Sequence, residues 1–353
     1  MVSLDVRGGP NVASSGERRA GRAARILRRV YRSRGARLIG QRLLLLIPVL
    51  LGVTFISSAI LNVLPGDTAS VLLGTNATPE SLHELTTKLH LNQPFLVRYW
   101  HWLVGLFHGD LGRSLANNQT VSSILSRDLP VTFELLAYAF IVAIVVSVPV
   151  ALVAARRPGG LLDRAITFVA MGGLSMAPFV LGILLILVFA DFWSLFPAVG
   201  WVPISKGLGS NLHSLTLPAC ALGLPIACFY TRLLRADIVE QMQREEYIVA
   251  ARAKGLKGSA ILIRHALRNS LLGLITVIGL NVGALIGGTV LIESIFSLPG
   301  IGNQMLSAIQ QRDVPIVEGV LLVFAIIVVL SNLVTDLLLG VLDPRIRHGR
   351  SFV

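Results

Sequence analysis

Four histidines, His83, His90, His101 and His108, fall in one stretch of the 353-residue chain, and clustered imidazoles are a common route to a metal. Their spacings of seven, eleven and seven do not repeat the i, i+4 interval that puts two rings on one helical face. Surface and interfacial histidines are therefore expected, and no metal site. The two cysteines, Cys220 and Cys228, are eight apart in an apolar run. On one helix they would stand about 12 Å apart, beyond disulfide reach, and they read as small hydrophobes. No Gly-Lys pair occurs, so there is no P-loop to cradle ATP, and HExxH, CxxC and GxSxG are also missing. Carboxylates near the apolar runs stand singly. Glu134 and Glu318 read as first-turn residues of their helices, and Glu293 and Asp336 as span-end residues, positions where ionised groups are tolerated. A membrane-embedded enzyme would need paired acids or metal ligands at one interface, and a proton-coupled secondary transporter an acid or histidine in mid-membrane. Neither pattern stands out.

The elements carrying these residues are unusually apolar. Hydrophobic residues make up 54% of the chain and charged residues 14%, with a mean hydropathy of +0.73. A soluble domain is about one-quarter charged, so composition points to an integral membrane protein and excludes disulfide-built and mainly disordered chains. Residues 43–61 are uncharged and long enough for a first span, and residues 135–155, 165–190, 214–231 and 269–292 supply four more. Residues 319–335, continuing through Asp336 into LLLGVL, complete an all-α fold of six spans.

Six spans put both termini on one side. Of the 31 Lys and Arg residues, 25 fall on that side: in the tail 1–42, the turn 156–164, the loop 232–268 and the C-terminal tail. The other six are Lys88, Arg98, Arg113, Arg127, Lys206 and Arg312. The positive-inside rule places both ends in the cytoplasm. The net charge of +12 is thus topological and calls for no nucleic acid. The chain divides into an Arg-rich tail (1–40), a first span (41–63), an external segment with short interfacial helices (64–130), a core (131–341) and a cytoplasmic tail (342–353). The Arg-rich tail reads as uncleaved chain lying on anionic membrane lipid. In the external segment, Thr78-Pro79-Glu80 signals a helix start, and residues 94–109 suit an interfacial aromatic helix.

The loop 232–268 is the least ordinary part. REEYIVAARAKG predicts a short amphipathic helix with Ile248, Ala250 and Ala251 near one face, capped by Gly255. A second short helix is expected from Ser259. Helices without a spanning role must pack on something, either this protein's own helix ends or a partner.

The residues Tyr247-Ile248-Val249-Ala250-Ala251-Arg252-Ala253-Lys254-Gly255-Leu256, followed by Arg264-His265-Ala266-Leu267-Arg268-Asn269, resemble the EAA loop of inner-membrane permeases of binding-protein-dependent ABC importers. The version is that of the first permease in the dipeptide/oligopeptide/nickel group. Leu64-Pro65-Gly66-Asp67, Gly109-Asp110-Leu111-Gly112-Arg113-Ser114, Leu298-Pro299-Gly300-Ile301-Gly302 and Leu342-Asp343-Pro344-Arg345 follow the family's order, so the resemblance spans residues 38–348. Val249 stands where the loop's name expects Glu, and Gly273 where Pro is frequent.

The resemblance implies a type I importer permease in the bacterial inner membrane, itself non-catalytic. Its partners would be a second permease, two ATP-binding subunits or one fused pair, and an external substrate-binding protein, with peptides as cargo and nickel or haem as alternatives. ATP and Mg would bind to the partners and no cofactor to this chain. Tyr247, Ala250, Ala251, Arg252, Lys254, Gly255 and Leu256 would couple to the ATPase. In span five, Gly279, Gly283 and Gly287 form a small-residue stripe suited to helix packing. Asn281, Gly283, Gly287 and Thr289 are the candidates for the pathway wall.

The charge split yields a topology test. Single cysteines at Ser81 and Ser259 should react with a membrane-impermeant thiol reagent from opposite sides, and equal labelling of both in intact cells would refute six spans.

Overall fold

The computed structural model describes residues 44, 46–60, 78–88 and 92–342. The Arg-rich tail, Leu64–Asp67, His90 and residues 343–345 lie outside them. The chain splits after Pro48 into two units, of which the second, from Val49 onward, carries the core and the candidate sites. All named elements among the described residues are helical.

Helix α1 is Leu46–Ile60, α2 Pro79–Lys88 and α3 Phe95–Phe107. The expected cap of α2 is present, with Thr78 Oγ1 accepting the Ser81 N–H at 3.2 Å. Val49–Ile60 of α1 meets α3 through edge-on packing of Phe55 on Tyr99 and a 3.0 Å bond between Thr54 and Tyr99 hydroxyls. Four helical stretches are long and apolar enough to cross a membrane: Val121–Ala155 (α4), Leu208–Arg244 (α7), Gly258–Ile295 and Val314–Leu342 (α12). Each is longer than its apolar run in the sequence, because the helix continues into polar flanks, at the amino end alone in Val121–Ala155 and at both ends in the other three.

The uninterrupted span expected over residues 165–190 is not observed. Leu161–Ser175 (α5) and Pro178–Leu185 (α6), the latter extended by a π-helical segment Ile186–Phe192, meet at 102°. Pro178 has no N–H to give, and its ring disfavours helical backbone at Ala177, which is extended at ψ 135°. Counting this pair as one crossing gives five.

Helices α4 and α7 form the central pair, and they carry the main core with Leu267–Ile295 (α10), Ile301–Gln311 (α11) and α12. Glu134 departs from expectation. Because α4 begins at Val121, Glu134 lies several turns inside it and accepts bonds from Trp201 Nε1 (3.0 Å) and Asn211 Nδ2 (2.9 Å).

Glu293 is fully buried at the end of α10. Its carboxylate accepts the Thr132 hydroxyl of α4 at 2.7 Å and the Asn303 N–H of α11 at 3.0 Å, while Thr132 Oγ1 accepts the Ile301 N–H at 3.0 Å. A carboxyl oxygen thus caps the amino end of α11, accepting an N–H that the helix leaves without a partner. This explains the Pro-Gly-Ile-Gly turn: a Cβ at Gly302 would lie 2.8 Å from the Val290 backbone and 2.9 Å from the carboxylate. Asp313, just before α12, accepts the Ser114 hydroxyl and the Leu115 N–H at 3.1 Å, which ties down the Gly109–Ser114 turn.

Glu293→Ala strands two buried donors and should cost about 1.5–3 kcal/mol of stability. Glu293→Gln, which retains an acceptor oxygen, should lose less. Unfolding midpoints in detergent check this, and midpoints equal to wild type for Glu293→Ala would contradict it.

Candidate coupling site

Helix α7 does not stop at the end of its apolar run but continues to Arg244. Its extension presents Leu234, Ile238 and Gln241 at helical spacing on a buried face. Glu245, extended at ψ 127°, then turns the chain, and Glu246–Ala253 forms α8. The end of α8 is a Schellman motif: the Leu256 N–H bonds Ala251 O at 3.3 Å and the Gly255 N–H bonds Arg252 O at 2.9 Å. Gly255 has φ +77°, and a Cβ placed there would meet nothing within 4 Å. Backbone strain, without any neighbouring atom, is what demands glycine.

The second short helix expected from Ser259 is the beginning of span five. Gly258–Ile261 (α9) passes through a π-helical turn, Leu262–Ala266, directly into α10. No glycine or proline lies between Ser259 and Arg268 to interrupt it.

The loop packs inward as a second core. Ile248, Ala251, Ile261, Leu262 and Ala266 are buried against Ala151 and Ala155 of α4 and Leu234 and Ile238 of α7. Gln241 sits beneath them. Its Nε2 donates to Ser270 Oγ (2.9 Å) and Asp237 (3.0 Å), and its Oε1 accepts the Tyr247 hydroxyl (2.5 Å) and Asn269 Nδ2 (3.2 Å). One amide therefore joins α7, α8 and α10. Nearby, Arg235 of α7 holds Asp163 of α5 in a two-pronged pair at 2.9 and 2.6 Å.

Sequence reasoning passes over Gln241 and Asp163. A signal for Gln241 exists all the same: a polar residue in phase with Leu234 and Ile238 on a buried face needs a partner.

The site residues divide. Tyr247 and Ala251 belong to the inner packing, while Ala250, Arg252, Lys254, Gly255 and Leu256 are exposed. Arg252 also donates to Met242 O at 3.0 Å. Apolar side chains remain on the outer face, with Val249 61%, Ile263 50% and Leu256 44% exposed.

Along α10, a Cβ on Gly279 would come within 2.6 Å of Thr335 Cβ, and one on Gly283 3.6 Å from Val328, so both glycines face α12. Asn281 is half-buried and bonds Val277 O on its own helix at 3.0 Å. Gly287 opens on empty space, whereas Thr289 is fully buried and donates to Ile286 O at 2.7 Å. Among the described residues no three His, Cys, Asp or Glu side chains converge as metal ligands.

Comparison with known proteins bears on this arrangement. Residues 147–348 match the family described as the binding-protein-dependent transport system inner membrane component. The chain belongs to that family. Residues 36–136 match the N-terminal part of such membrane components. The dipeptide transport system permease protein DppB of Escherichia coli (strain K12) is 36% identical over 336 residues, covering 88% of this chain and 98% of the relative. DppB of Alkalihalophilus pseudofirmus is 36% identical over 328 residues, covering 87% and 98%.

Gly255→Val forces a β-branched residue into left-handed backbone, at about 1–2 kcal/mol. Trypsin should then cut faster after Lys254 and Lys257 in the membrane-embedded protein, while Gly255→Asn, which tolerates positive φ, should be cut at close to the wild-type rate. Gly279→Ala instead disturbs α10 against α12 and should leave these sites protected. Unchanged cleavage in Gly255→Val would show that the turn does not depend on glycine.

Proposed function

We propose that this chain is the translocation subunit of an ATP-driven importer whose outer face on α8, its capping turn and α9 docks an ATP-binding subunit. The observation that carries this reading is the two-faced loop. Ile248, Ala251, Ile261 and Leu262 satisfy its packing within the chain, yet Val249 and Leu256, between the spanning stretches Leu208–Arg244 and Gly258–Ile295, and Ile263 near the start of the latter remain apolar and exposed. Small residues Ala250, Ala253 and Ala260 beside them are exposed too and allow close approach. Because α9 runs into α10 without a break, displacement of the docked face would turn span five as a rigid body, which is what alternating access requires.

The complete assembly in this proposal has six spans here, with α1 as the first and the bent α5–α6 pair as the third, and both termini in the cytoplasm. A second permease, two ATPase subunits or one fused pair, and an external binding protein complete it. ATP and Mg bind to the ATPase subunits. Asn281, Gly283, Gly287 and Thr289 on α10 are assigned to the pathway region, with Gly287 the most open of the four. The names of the DppB relatives support di- or oligopeptides as cargo, delivered by the binding protein.

Purification from native membranes should bring ATP-binding subunits with this chain. Leu256→Asp and Val249→Asp, which place charge on the outer face and leave the inner packing alone, should reduce recovery of those subunits about tenfold or more. The chain by itself should show no saturable ATP binding at micromolar nucleotide. Full ATPase recovery by both variants, or nucleotide binding by the isolated chain, would overturn the division of labour.

A further inference from the structure

An open groove of about 770 Å³ lies between α4, α5 and α7, away from the coupling face. Val150 and Val153 of α4, Ile166 and Val169 of α5, and Leu224 and Ala227 of α7 form its walls. The lining contains no charged residue, and its Thr231 hydroxyl is already bonded to Ala227 O at 2.7 Å. Nothing in the groove asks for a polar guest. From Leu162 to Met176 it follows α5 for about 21 Å, against about 15 Å for one leaflet of a hydrocarbon core.

One end of the groove is different. Beside Leu162 and Thr231 lie Arg156, Arg157, Arg164 and Arg232, all exposed and none in an ion pair among the described residues. The acid at that level, Asp163, is buried and already held by Arg235. An apolar slot with an uncompensated cationic mouth has the chemistry of a single amphiphile with an anionic head.

We propose that the groove binds one acyl chain of an anionic phospholipid from the leaflet facing the Arg156–Arg164 turn, with the headgroup on these arginines. The tail fills the space beside α5, and the phosphate replaces counterions at the mouth. An apolar helix of a partner protein would satisfy the walls but leave the charge of the arginines unanswered. The inference needs only that the chain is a membrane component, and it stands whether or not the coupling reading holds.

The test uses the full complex as purified from its membrane and reconstituted with phosphatidylglycerol carrying a photoreactive group in its acyl chain. Labelled peptides should come from α5 and α7 around Val169 and Leu224. Arg164→Gln should weaken retention of phosphatidylglycerol about fivefold, with phosphatidylcholine unaffected. Val169→Trp, which fills the slot, should abolish labelling there, while Leu161→Trp outside it should not. Labelling confined to other helices, headgroup-independent retention, or efficient cross-linking of Val169→Cys to a second permease would each overturn the proposal.

Discussion

A hydrocarbon core offers no water to a backbone amide, so wherever a spanning helix is interrupted the protein must supply the missing partner itself. The sequence interrupts its helices often, with Pro130 and Pro149 in α4, Pro218 and Pro225 in α7, and Pro178 at the sharpest bend. At that bend the Met176 N–H turns back to Gly173 O at 3.3 Å, and Leu181 N–H is taken up by Ala177 O at 3.2 Å. Beside it the Ser175 hydroxyl donates to Met171 O, one turn back along α5. The bent pair survives because its polar groups are closed locally.

The same constraint concentrates buried polarity into a few complete nodes. Glu293 ties α4, α10 and α11 at one end of α10, and Gln241 ties α7, α8 and α10 at the other. Between Asn269 and Glu293 the helix rises about 36 Å through almost wholly apolar packing. Apolar contact fixes little in the way of register, whereas a node with every donor and acceptor matched fixes it closely. A node at each end fixes α10 between the Pro-Gly-Ile-Gly turn and the loop around Tyr247.

Helix content, the positions of four spanning stretches and the glycine cap at Gly255 are legible in the sequence because they depend on local chemistry: uncharged run length, breakers and φ preference. The bend at Pro178 is legible in principle, since Pro follows a residue that must be extended, but the uncharged run around it hides the break. Continuity of α9 with α10 is obscured for the opposite reason. The charged stretch from Arg264 to Arg268 suggests a separation of two elements, although charge does not end a helix. The Ala250 and Ala251 pair marks a firmer limit. Adjacent residues of the same type on a helix differ by about 100° in direction, and only packing on Leu234 and Ile238 decides that Ala251 faces in and Ala250 out.

Exposed apolar surface has to be weighed by location in such a protein. Phe168 is 79% exposed, more than Val249, Leu256 or Ile263 on the candidate coupling face, yet within a bilayer such exposure carries no penalty and marks no partner. Val249 and Leu256 are less exposed, but they flank a turn studded with Arg252, Lys254 and Lys257, where the surroundings are aqueous. There apolar exposure costs free energy, which the docking proposed above would relieve. The groove beside α5 obeys the complementary rule: its apolar walls discriminate nothing in lipid, and the charge at its mouth alone selects among the amphiphiles that surround it.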